Sequence, residues 1–164
     1  MPFDATPSGP AANSYCTVVE ADAYHSARGH NAAWESATQE AKERHLMWAT
    51  SLLDAHYGYV GSRAEAEQAL AWPRRGVVLD GVTLPATAVP LRVRGATAEF
   101  AFRLMGEDWT AGLGPIVDEG VKVGPLETSP ERHVPIPEQV ATLVRPFLRG
   151  ARVGGIGTVG LLRG

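Results

Sequence analysis

Trp72-Pro73-Arg74-Arg75 places an aromatic side chain beside two guanidinium groups. An aromatic face to stack a base and cations to hold the backbone are the elementary parts of a single-strand nucleic-acid site. One Trp and two Arg do not line a groove, however. The competing expectation is that Trp72 anchors a helix–loop junction in the core, while Arg74 and Arg75 reach a neighbouring subunit or solvent. A second constellation, Gly155-Ile156-Gly157-Thr158-Val159-Gly160, spells G-x-G-x-x-G. That fingerprint holds a pyrophosphate only after a strand, at the start of a helix, with an acid about 20 residues on. Only Leu161 to Gly164 follow it, with no acid among them, so dinucleotide binding is not expected.

Other reactive residues are scattered. The five histidines, His25, His30, His45, His56 and His133, share no ligand spacing and are expected to be partly exposed polar residues. Glu43-Arg44-His45 lacks the first His of a zinc-protease helix. The single Cys16 excludes an intramolecular disulfide, suits a reducing compartment, and reads as a small buried residue rather than a nucleophile. No G-x-S-x-G elbow occurs, and Glu107-Asp108 belongs to a solvated turn. The expectation is a protein that is not an enzyme, with no metal and no cofactor. A net charge of −3 gives no global field for nucleic acid, and no apolar run is long enough for a membrane span.

The elements that must carry these residues are mainly helical. Thr17-Val18-Val19-Glu20 has capping-box spacing, predicting a short helix to about Arg28, stopped by Gly29. Trp34 falls in a loop or a single helical turn. A longer helix runs from near Thr38 to about His56. Ser62-Arg63-Ala64-Glu65 repeats the capping-box spacing and predicts a short helix through Ala71, ended by Pro73. Asp80-Gly81, flanked by Val77, Val78, Leu79, Val82 and Leu84, is a hairpin signal. A long helix from about Pro90 to Gly106 buries Val93, Ala96, Thr97, Phe100 and Leu104. Residues 116–128 read as a weak β-hairpin or extended arm. A last helix covers about Pro137 to Leu148, kinked or shortened by Pro146. Trp48, Leu52, Leu53, Trp72, Phe100 and Leu104 are the expected core. The fold class is a small, mainly α bundle over residues 14–149. It is preceded by a flexible or strapped-down arm, 1–13, and followed by an extended Gly-rich tail, 150–164.

That tail is informative in its own right. Six of its fifteen residues are Gly and four are β-branched, so no helix is expected. Val153, Ile156, Val159, Leu161 and Leu162 are nevertheless costly to leave in water. A slim, moderately apolar segment suits threading into a partner as an added strand. Arg152 and Arg163 would then pair with acidic groups on that partner.

Three segments together carry a family resemblance. They are Asn13-Ser14-Tyr15 leading into Val19-Glu20-Ala21-Asp22-Ala23-Tyr24, then Trp48-Ala49-Thr50-Ser51-Leu52-Leu53-Asp54 with Gly61-Ser62-Arg63 and Gln68-Ala69-Leu70-Ala71-Trp72-Pro73-Arg74, and finally Pro135-Ile136-Pro137-Glu138-Gln139-Val140 with the Gly-rich tail. The order resembles the head–tail adaptor, or head-completion, proteins of tailed phages and gene-transfer agents, also labelled DnaT-like single-stranded-DNA-binding proteins. The resemblance implies a structural virion neck protein, assembled in the host cytoplasm. It implies a likeness to subunits of a twelve-fold ring on the portal protein, extending a channel through which double-stranded DNA slides and presenting a platform for a downstream neck or tail protein. The tail residues Arg152, Val153, Ile156, Val159, Leu161, Leu162 and Arg163 would be its portal contacts. The alternative is a replication-type single-stranded-DNA-binding protein.

Overall fold

The computed structural model describes residues 1–111 and 136–150. Within them, α1 (Val18–Ser26) starts at a complete capping box. Glu20 N–H donates to Thr17 Oγ1 at 3.2 Å, and Thr17 N–H donates back to the Glu20 carboxylate at 2.8 Å. This satisfies two otherwise orphaned donors. One turn of helix, α2 (Ala32–Glu35), carries the buried Trp34. Next comes α3 (Gln39–His56), whose Thr38 cap accepts from Ala41 N–H at 3.3 Å.

The centre of the bundle is α4 (Leu91–Gly106), packed on by α1, α2, α3 and finally α5 (Glu138–Val144). Being covered from several sides, α4 buries more than one stripe: Val93, Ala96, Thr97, Phe100 and Leu104, but also Ala98, Glu99 and Ala101. Gly95 lets α1 come close, because a Cβ there would stand 3.2 Å from the Tyr24 ring. Pro146 falls in a 3-10 turn, Arg145–Phe147, that ends α5. A helix interior cannot accept proline without losing a hydrogen bond.

The small β elements lie between α3 and α4. Antiparallel β1 (Ser62–Arg63) and β2 (Arg74–Arg75) pair Ser62 with Arg75 and Arg63 with Arg74. The hairpin of β3 (Val78–Leu79) and β4 (Val82–Thr83) turns at Asp80 (φ 50°) and Gly81 (φ 81°). Both are left-handed, as a tight two-residue hairpin requires.

The bundle is thus mainly α with two small strand pairs, as the sequence suggests. Three local expectations are corrected. No helix covers residues 62–71: Ser62 and Arg63 are a strand, and Gln68 rather than Ser62 caps the Glu65 N–H, at 2.9 Å. Leu53, Trp72, Phe100 and Leu104 are in the core, but Trp48 and Leu52 are only half-buried at its edge. His25 is not an exposed polar residue. It is fully buried, with its ring 4.5 Å from Trp34 and 5.4 Å from Phe102.

The first residues are tied to the body. Asn13 and Ser14 N–H donate to the Asp4 carbonyl at 2.8 and 3.1 Å, and Ala69 N–H donates to the Gly9 carbonyl at 3.1 Å. The arm at 116–128 and the tail beyond Gly150 lie outside the described residues.

Candidate functional site

The block Gln68 to Arg75 is where the sequence places its nucleic-acid candidate, and its geometry assigns it other work. Trp72 is buried, edge-on to Tyr59 (ring centroids 5.6 Å) and to Phe147 (5.4 Å). Arg74 is 7% exposed. Its Nε donates to the Val60 carbonyl at 2.6 Å, Nη1 to Ala71 at 3.0 Å, and Nη2 to Gly61 at 2.8 Å and Tyr59 at 3.3 Å. Burial lowers its pKa from the usual range. A guanidinium engaged by four carbonyls has no free face for a phosphate, so the expectation that Arg74 reaches solvent or a neighbour is overturned. Arg75 is exposed and pairs with Glu65 at 3.0 Å, an ion pair worth little in water.

Two further side chains complete this scaffold. Gln68 is buried and donates to the Leu70 and Pro73 carbonyls at 2.8 and 3.0 Å. Asp54 on α3 accepts from Ala71 N–H at 2.9 Å and from the Tyr15 hydroxyl. Burial raises the Asp54 pKa, and those two donors oppose the rise. Gln68 and Asp54 lie in the segments that carry the family resemblance, but the sequence pointed to this scaffolding role for neither. The signal that could have revealed them is the irregular backbone of residues 64–73, whose polar groups need partners from side chains.

What the scaffold holds is the departure point of the tail. Val60 N–H donates to the Phe147 carbonyl at 2.8 Å, and Arg149 N–H donates to the Gly58 carbonyl at 2.8 Å. Tyr59 and Leu148 form an antiparallel bridge, and Arg149 Nε donates to the Tyr59 carbonyl at 2.8 Å. Residues 58–60 therefore grip 147–149, and Arg74 and Trp72 grip residues 59–61. The portal-contact candidates Arg152, Val153, Ile156, Val159, Leu161, Leu162 and Arg163 begin just beyond this mount, outside the described residues.

The surface chemistry follows. All twelve aromatic residues fall within the described residues, and each is buried or half-buried; none is exposed. The large exposed apolar side chains on the described elements are aliphatic: Val19 (77%), Val78 (57%), Val82 (63%) and Leu91 (76%), besides Met1. Leu91 borders an apolar recess between the β3–β4 hairpin and the start of α4. Burial pushes the Cys16 thiol up to about 12, which leaves it protonated and unreactive at neutral pH. Among the described residues no group of three or more His, Cys, Asp or Glu is placed to hold a metal ion. No described helix is long and apolar enough to cross a membrane.

A family model described as "Putative DnaT-like ssDNA binding protein" matches residues 4–164. No curated protein and no solved structure matches the chain.

Proposed function

With the match spanning nearly its whole length, the chain belongs to the DnaT-like ssDNA binding protein family, and within that family we propose that this chain works as a structural assembly protein, a head–tail adaptor. In this reading its copies form a ring on a portal protein, and residues 151–164 are the portal contact. DNA passes through the ring without sequence-specific binding, and the far side receives a downstream neck or tail protein.

The observation that carries this reading is the mount. Within the most distinctive block of the sequence, Ala69 to Arg74, Arg74 holds residues 59–61 and Trp72 packs on Phe147, and residues 58–60 in turn hold 147–149, from which the apolar segment departs. A fixed departure point lowers the ordering entropy that a threading segment must lose on binding. Exposed aliphatic side chains on the hairpin and α4 add surface suited to protein contacts.

The second reading, single-stranded DNA binding, is favoured by the family description itself. It requires aromatic faces open to bases and cations free for phosphates. The described surface offers neither an exposed aromatic nor a free Arg74. Fluorescence anisotropy of a labelled single-stranded oligonucleotide, titrated with the full chain at low and moderate salt, separates the two. The adaptor reading expects no saturable binding. A tight, salt-dependent isotherm would replace it with the DNA-binding reading.

A further inference from the structure

The recess between the β3–β4 hairpin and α4 has a volume of about 370 Å³. Leu79, Leu84, Pro85 and Leu91 line its walls, with the buried Phe147 beneath them. Its charged lining is Arg92 and Arg94, and Arg94 already pairs with Glu20. Aliphatic surface of this kind is stabilised by removal from water.

The same chain carries a segment with the matching need. Val153, Ile156, Val159, Leu161 and Leu162 form an apolar run set among glycines and flanked by Arg152 and Arg163. The run starts six residues after Phe147, which is part of the recess. Extended chain covers at most about 3.5 Å per residue, so Val153 and Ile156 reach the recess without strain. A tether this short gives an effective concentration on the order of millimolar, ahead of a partner present at micromolar levels. The flanking arginines can keep their charges at the rim, in water, while the aliphatic side chains enter.

We propose that in the free protein this recess holds the aliphatic residues of the chain's own segment 153–162, sheltering both surfaces until a partner claims the segment. This docking needs no portal and goes beyond the adaptor reading: it holds or fails on the isolated chain.

Disulfide trapping tests it directly. Ala88 lines the recess and is exposed, so Ala88→Cys leaves the core untouched. It is paired in turn with Val153→Cys, Ile156→Cys and Val159→Cys in the full chain; the buried Cys16 does not compete. Mild oxidation is expected to give a monomeric intramolecular disulfide in at least one pair. Disulfide-linked dimers alone would assign the recess to a second copy and overturn the proposal, as would no disulfide in any pair. Limited trypsin digestion is the second arm. Leu91→Asp puts a charge on the exposed wall, and at the first turn of α4 an acid is compatible with the helix. Cleavage after Arg152 is expected to be about tenfold faster in this variant, because proteolysis tracks the undocked population. Equal rates in the two proteins would contradict the docking.

Discussion

Arg74 holds the backbone of Gly61 from across thirteen residues: its Nη2 donates to the Gly61 carbonyl at 2.8 Å and also to Tyr59, while Nε takes Val60 and Nη1 takes Ala71. The arrangement turns a cation with the look of a phosphate ligand into the clamp of an irregular loop. Arg74→Ala is expected to destabilise the protein by about 2–4 kcal/mol, because it strands one buried and three part-buried carbonyls. Arg74→Lys should recover only part of this, since one ammonium cannot span four acceptors. Urea unfolding of the three proteins checks it, and a wild-type midpoint for Arg74→Ala would show that the clamp is idle.

Gly61 is the other half of the clamp. Its φ is +72°, and a Cβ would stand 2.3 Å from the Arg75 carbonyl oxygen. Gly61→Ala is expected to cost roughly 2 kcal/mol or more, from backbone strain and from the forced shift of β2. Gly58→Ala, where a Cβ meets only the far end of Arg149 at 4.0 Å, is the control. Similar melting temperatures for the two variants would contradict this account.

The helices were legible because their signals are local. Thr17 to Glu20 caps α1 as spelled, and Asp80-Gly81 makes the hairpin turn. The same S/T-x-x-E spacing at Ser62 to Glu65 misleads because its competitor is remote in sequence. Ser62 and Arg63 pair with Arg75 and Arg74, and Ala64 N–H donates to the Pro73 carbonyl at 3.1 Å, so the backbone bonds a helix would use are already taken. The role of Arg74 was hidden for a related reason. Its acceptors come from two stretches of chain that meet only in the fold. Trp72 is buried as expected, but it anchors an irregular loop ahead of β2 rather than a helix–loop junction, because no helix precedes Pro73.

The core makes a graded prediction. Phe100 and Leu53 are fully buried, and Leu52 is half-buried. Phe100→Ala and Leu53→Ala are expected to cost about 3–5 and 2–5 kcal/mol, and Leu52→Ala clearly less. Denaturant unfolding of the three variants reads the order. A Leu52→Ala loss equal to that of Leu53→Ala would place Leu52 in the core.

His25 predicts a pH dependence. Its Nε2–H donates to the Ala98 carbonyl at 3.1 Å, which leaves the buried Nδ1 unprotonated and without a partner. Burial lowers its pKa below the usual 6.5, with Glu99, Arg28 and Asp22 as the charged groups around it. Below 6.5 the unfolded chain therefore binds a proton that the folded chain refuses. Stability from this residue is complete above 6.5 and declines as the pH falls below it. Melting temperatures from pH 8 to pH 5 should fall for the wild type and fall less for His25→Phe. Parallel curves would remove His25 as the cause.

The adaptor reading is tested most directly by negative-stain imaging of the full chain mixed with a tailed-phage portal protein from the same genome. The account predicts portal rings carrying a second stacked ring, and bare portals when residues 151–164 are deleted. Bare portals with the full chain, or equal decoration by the truncated one, would contradict it.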